Sequence, residues 1–373
     1  MKVTSLVASA PCLTLASLVS AAVLTSSAIA QRTYTAIDLT PAGSGAATAI
    51  GTTGVGGYTG TVPAAFSGQA TLWTSTGSVN LHPAFLDGAA ARSTVAAIAN
   101  GLQVGSGAGV STGNRNVPLA WTGSSASATV LNIPIPNAGG QATATDGLQI
   151  VGSALGLDRD GTTLGTQHAL IWDVASGSAV DIGDTAVLLG VAAGQQVGWV
   201  AKGTANAALW RGTKSYTLLH PKNAVLSVAN ATDGTRQVGY AGFDVRVRQE
   251  AVKGNKDKRF NWAHAWTGTS ATALNIHPYA SNADGALFEH SYALSVAGQW
   301  IAGYATDLAK TGTPAYNRAV VWDAAYQITD LSAFLPAGFI GSQASAVDAN
   351  GNIAGVMTRA DGTRHAVLWV PNP

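Results

Sequence analysis

Seven copies of one short pattern run through this sequence, and a chain built that way must fold as stacked copies of one small unit. A tight turn, usually X-Gly, is followed three to five residues later by a short Val/Ile strand with a central glycine. The turn glycines are Gly54, Gly101, Gly147, Gly194, Gly234, Gly298 and Gly351; the strand glycines are Gly57, Gly105, Gly152, Gly198, Gly239, Gly303 and Gly355. A second run ends in tryptophan each time: QATLW, VPLAW, HALIW, NAALW, WAHAW, RAVVW and HAVLW, closing at Trp73, Trp121, Trp172, Trp210, Trp266, Trp322 and Trp369. A third run follows the first six tryptophans, as in VNLHP, AVDIG, TLLHP and ITDL. Small and β-branched residues precede each turn glycine, as over Thr94 to Ile98. Each unit is therefore predicted to hold four strands.

Four strands per unit of about 40 to 64 residues, with Asn-Gly and Asp-Gly hairpin signals and no helical period, read as propeller blades. The coils of a parallel β-helix are shorter and need no hairpins. The expected fold class is all-β, a seven-bladed β-propeller. The seventh unit stops just past Trp369 and lacks its fourth strand, while Tyr34-Thr35-Ala36-Ile37-Asp38-Leu39 repeats the fourth-strand pattern of Ile328-Thr329-Asp330-Leu331. The mature N-terminal strand is thus expected to close the ring and remove an open sheet edge.

Residues 1–30 carry one charge, Lys2, then an apolar stretch and Ala28-Ile29-Ala30, the features of a secretory signal peptide with an A-x-A cleavage site. Ser and Thr interrupt the stretch, which argues against a membrane anchor. The expected domains are a leader over 1–30 and one propeller over 31–373, secreted or periplasmic. The only cysteine, Cys12, leaves with the leader, so the mature chain must hold together in an oxidising compartment by burial alone. Its 47% hydrophobic residues suffice for that. Without Lys2, the remaining Lys and Arg balance the 19 Asp and Glu, which gives no footprint for nucleic acid or an acidic membrane. No later apolar run is long enough to span a bilayer.

Tryptophan at one site in every unit reads as a blade filler, and the strand glycine is expected to lie beside such a ring. Trp199 takes the slot after the strand glycine, as do Tyr58, Tyr240 and Tyr304. The HALIW and HAVLW runs, the turns followed by VGS or IAGV, and the DL or DIG endings resemble the bacterial extracellular repeat called the HAF family, over essentially the whole mature chain. Gln69, Val117, Asn206 and Arg318 stand where that pattern has histidine, and His264 is displaced by two residues. The resemblance implies export and a propeller-like fold; it carries no catalytic residues to this chain.

Loop lengths single out one face of the disc, because the loops between strands two and three and between four and one vary while the others do not. The longest, between Gly239 and Trp266, contains Arg246, Arg248, Lys253, Lys256, Lys258 and Arg259 against Asp244, Glu250 and Asp257. It reads as a basic flap for an anionic glycan, or as a solvated hairpin extension. Asp158-Arg159-Asp160-Gly161 matches the opening of a calcium loop but lacks the later ligands, so an Asp-Gly turn is the better reading. His168 and His365 share one repeat slot and read as structural. His82, His220 and His277, each before a proline on an outer strand, are too far from the axis to share a metal. Glu289, His290 and Tyr292 differ: they start the sixth unit's innermost strand, on the variable face, where a ligand at the funnel mouth would meet them. No nucleophile elbow, phosphate loop, paired-cysteine or zinc-helix motif appears, so neither cofactor nor metal is expected.

Three function classes remain, because fold does not choose among them. The first is a non-catalytic binding module for an extracellular polysaccharide or surface protein. The second is a polysaccharide lyase or hydrolase using His290 and Tyr292 as base and acid, and the third is a structural surface or matrix component. A funnel lined by His, Tyr, Arg and carboxylates would favour the enzyme; one lined by Ala, Ser and Thr would favour binding or structure.

Overall fold

The computed structural model describes residues 32–60, 68–157, 164–249, 254–279, 288–307 and 316–373. The leader and Asp158 to Gly161 lie outside the described residues, as do Glu250 and Lys253 of the basic insertion. Seven four-stranded antiparallel sheets form the blades of a β-propeller. Blade 1, for instance, is Gly45–Gly51, Gly54–Thr59, Gln69–Thr74 and Gly77–Asn80, paired in that order. All seven turn glycines have positive φ, from 55° to 139°, which a residue without Cβ adopts at least cost. Blade 7 closes as the sequence predicts. Outside its strands Phe339–Val347, Ile353–Arg359 and Arg364–Pro371 lies Tyr34–Asp38, with Tyr34 opposite Pro371 and Asp38 opposite Val367.

The repeat tryptophans are buried, and each inserts toward the blade before its own. Trp121 clusters with Ala70, Leu72 and Leu81 of blade 1, and Trp172 with Val104 and Ala120 of blade 2. The order continues to Trp369, which clusters with Ala319 and Val321 of blade 6, and Trp73, which joins Ala354 and Ala366 of blade 7. Two indoles also donate hydrogen bonds backward: Trp172 Nε1 to the Asn132 carbonyl at 2.6 Å and Trp322 Nε1 to the Ile276 carbonyl at 2.8 Å.

The strand glycines have a different cause from the one expected. Every inner strand slips register by one residue at the same place, a bulge at Thr48, Ala96, Thr143, Leu189, Asn230, Leu294 and Ser345. Two residues before each bulge a carbonyl oxygen occupies the place where a Cβ on the strand glycine would stand: Ala46 against Gly57, Val187 against Gly198, Tyr292 against Gly303. At Gly355 the Trp369 ring crowds the position as well. The glycine makes room chiefly for backbone, not for tryptophan.

Candidate functional site

Around the axis, the bulge residue and the two that follow it in each blade line a cavity of about 240 Å³. Threonine, serine, asparagine, glycine and aliphatic residues make up the lining, and no Asp, Glu, Lys, Arg, His or Tyr is among them. Several polar side chains are spent on the blades themselves. Thr143 Oγ1 donates to the Leu188 carbonyl at 2.8 Å and Asn230 Nδ2 to the Ala293 carbonyl at 2.8 Å, while Thr48 Oγ1 donates to the Val95 carbonyl. Each of these bonds reaches the inner strand of the next blade. The cavity therefore offers packing and hydroxyls but no proton donor or acceptor that titrates near neutrality.

Glu289, His290 and Tyr292 do not line that cavity. They begin the inner strand of blade 6, Phe288–Ala297, at its seam with blade 5. There they meet the long insertion, which is a hairpin of Gln237–Gln249 and Gly254–Trp266 paired through to Gln249 opposite Gly254. Two candidates that are separate in the sequence are thus one site. Lys258 forms an ion pair with Glu289 and lies 5.4 Å from the centre of the Phe260 ring. The Asn261 amide N–H donates to His290 Nδ1 at 3.1 Å, and Asn261 Nδ2 donates to the Tyr292 hydroxyl at 2.9 Å. Burial and the nearby Lys258 charge hold the His290 pKa below its usual value, so the imidazole is neutral at pH 7. Tyr292 stacks on Tyr304 at 4.8 Å and meets Tyr240 edge-on at 4.9 Å. Burial raises the Tyr240 phenol and pushes Tyr304 up to about 12.

Two of the flap's cations are paired. Arg259 pairs with Asp244 through two bonds of 2.8 and 3.0 Å, and Lys258 is held by Glu289. Arg246 and Arg248 stand on the backbone opposite Asp257 and Asn255; their side chains lie outside the described part of the chain. Neutral His290 could accept a proton. Its Nδ1, however, faces a backbone amide rather than a carboxylate, and the neighbouring Glu289 carboxylate is bound to lysine.

The remaining histidines stitch the molecule together. His82 Nδ1 lies 2.7 Å from Ser93 Oγ of the next blade, and that oxygen accepts the Ala70 N–H at 2.9 Å. His220, Ser227 and Ala207 repeat the arrangement, as do His277, Ser291 and Ala263. The three serines are at most 1% exposed, so these Ser–His pairs are seam latches and not nucleophiles. Sequence reading missed the serines because each lies on the following unit, 7 to 14 residues beyond its histidine. In the shared slot, His168 pairs with Asp181 at 2.8 Å and His365 with Asp38 at 3.0 Å; Arg318 with Asp330 and Gln69 with Asn80 take the same place. His264 is buried, stacked between Phe243 and Trp266, and desolvation lowers its pKa. No cluster of three or more His, Cys, Asp or Glu suited to a metal occurs among the described residues.

A second recess, of about 390 Å³, lies on the variable face between blades 2 and 3, and Arg92 and Arg115 are on its wall. The sequence reading did not select it. The signal available was the polar run Asn114-Arg115-Asn116 in the variable loop before the third strand of blade 2.

No protein-family model and no curated protein matches the chain. Among solved structures it is similar to the uncomplexed acylaminoacyl peptidase of Pyrococcus horikoshii, with a TM-score of 0.55 and 10% identity over 89% of this chain and 52% of that one. The chain thus spans about half the length of that peptidase. It is also similar to TolB from Acinetobacter baumannii, with a TM-score of 0.35 and 9% identity over 69% of this chain and 60% of TolB. The β-propeller domain of the Trilobed protease from Pyrococcus furiosus scores 0.35 at 10% identity, over 75% and 93% of the two chains. At such identities the likeness is one of fold.

Proposed function

We propose that this chain is an exported, non-catalytic binding propeller of the HAF repeat kind, whose variable face engages an extracellular glycan or a surface partner. One observation carries the reading: the axial cavity, where inner strands from all seven blades converge, has no titratable side chain among the described residues of its lining. A lyase or hydrolase needs a positioned acid and base. The titratable residues at the start of blade 6 are instead tied up: Asn261 holds both His290 and Tyr292, and Lys258 holds Glu289. Recesses with hydrogen-bonding walls lie at the seams of the variable face, where loop variation tunes recognition without disturbing the ring.

The test is a glycan-array screen of purified protein starting at Gln31, run beside a polysaccharide-cleavage screen. Binding without cleavage is expected. Cleavage lost in His290→Ala and Tyr292→Ala would establish the enzyme reading in its place. A protein that binds no glycan and no surface component, yet is found in the cell envelope or matrix, would establish the structural one.

A further inference from the structure

The recess between blades 2 and 3 is built from five separate stretches of chain, one of them Ser153 and Leu155 on the second strand of blade 3. Arg92 starts the inner strand of blade 2, Arg115 and Asn116 precede its third strand, Asn137 and Gln141 flank the start of the inner strand of blade 3, and Gln167 lies on the third strand of blade 3. Both guanidinium groups are held in place by one bond each. Arg92 Nη2 donates to Asn116 Oδ1 at 3.1 Å, and Arg115 Nη1 donates to the Asn137 carbonyl at 2.7 Å. The Arg115 backbone is fixed in turn, because its carbonyl accepts from Thr112 Oγ1 at 2.8 Å at the end of a short 3₁₀ turn.

A guanidinium carries five N–H donors and no acceptor, so each arginine keeps most of its donors for a guest. Among the described residues neither forms an ion pair with a carboxylate, and no described Asp or Glu lines the recess. Asp87, on the loop leading into blade 2, accepts the Ser111 N–H at 2.9 Å and is not part of the wall. Two anchored cations facing a concavity whose described wall carries no anion form a receptor for a carboxylate.

The rest of the wall indicates what bears that carboxylate. Amide side chains predominate, each offering both donor and acceptor to neighbouring hydroxyls, and Gly139 with Gly140 leaves part of the wall free of side chains. Leu155 is the one large aliphatic residue among the described residues of the wall. We infer that the seam of blades 2 and 3 is a uronate subsite, in which Arg92 and Arg115 grip the carboxylate of an acidic sugar and Asn116, Asn137, Gln141 and Gln167 read its hydroxyls. This inference rests on the glycan-binding reading above and gives it a substrate class.

The experiment is calorimetric titration of the mature protein with short oligomers of galacturonate, glucuronate and mannuronate. Each is run beside its methyl ester, which keeps the sugar but removes the charge, and beside an N-acetylated tripeptide with a free C-terminus. At least one uronate oligomer should bind, its ester should bind about tenfold more weakly or worse, and affinity should fall with added salt. Arg92→Gln and Arg115→Gln should each lose about tenfold or more for the acid and little for the ester, with unchanged melting temperatures. Lys202→Gln, on blade 4 and outside this recess, should leave binding as it is. Equal binding of acid and ester, arginine variants that bind as the parent does, or preference for the tripeptide would overturn the subsite. Neutral glycans binding while every uronate fails would overturn it too but leave the glycan-binding reading standing; failure of every glycan would remove both.

Discussion

At the scale of single residues, the repeated tryptophan and glycine do different physical work, although the sequence presents them as a matched pair. Trp172 is 1% exposed, packed toward blade 2 and hydrogen-bonded to it, so Trp172→Ala should cost about 3–5 kcal/mol in denaturant unfolding, as a large core truncation does. Phe260→Ala should cost about 1 kcal/mol, because that ring is half-buried and has Trp262, His290 and the Lys258 head as its ring and cation neighbours. Equal small losses would remove the tryptophan from its filler role. Gly198 faces the Val187 carbonyl, so Gly198→Ala must push backbone apart and should cost about 1–3 kcal/mol or more. Gly43→Ala, with open space around it, should be tolerated, and a tolerated Gly198→Ala would contradict the bulge argument. The tryptophan's role is legible in one sequence because a large apolar side chain at a fixed period has few other uses. The glycine's is not, because its cause is a main-chain oxygen on another strand, set by a bulge that any of Thr, Ala, Leu, Asn or Ser can occupy.

Between elements, histidines bridge the seams, and the burial of one of them, His277, makes stability depend on pH in a defined window. His277 sits against Ser291 with its pKa lowered to about 4, chiefly by burial, then by the neighbouring His290. His264 and His290 are lowered as well. In the unfolded chain these imidazoles take up protons near the ordinary value of 6.5, whereas in the fold they resist until lower pH. The unfolded state therefore binds more protons between about 6.5 and 4, and stability falls as pH drops through that range. Asp244, lowered by its bond to Arg259, adds a separate loss only below the ordinary aspartate value of 3.8. Melting temperature followed from pH 7 to pH 4 should show the first loss, and His277→Gln should flatten part of it; an identical slope in the variant would mean that His277 does not titrate as the seam requires. The individual strands and the variable face were readable from spacing alone. The Ser–His latches and the joining of the insertion to Glu289 and His290 were not, because both depend on which side of a blade meets its neighbour.

For the molecule as a whole, ring closure was readable because a missing fourth strand at one end and a spare one at the other are both visible in the sequence, whereas the recess between blades 2 and 3 was not. Its wall draws on residues 92, 115, 137 and 167, which share no repeat slot and meet only once the blades are stacked. Closure itself is open to a direct test. Tyr34–Asp38 pairs along Arg364–Pro371; Asp38 accepts from His365, whose side chain is 5% exposed, and Thr40 Oγ1 accepts the Ala366 N–H at 3.0 Å. Tyr34 is itself a core residue, tilted against Phe334 at 6.0 Å. Deleting residues 34 to 39 would strip the strand pairing and the Tyr34 packing together, leave His365 without its acid partner, untether Thr40, and turn the strand that bears Trp369 into an open edge. The truncated protein should melt on the order of 10 °C lower than the mature chain and should aggregate on concentration. A synthetic peptide of residues 32 to 40, added in excess, should restore part of the lost stability by adding back as a strand. A truncated protein that stays monomeric at an unchanged melting temperature would show that the ring does not depend on its N-terminal strand.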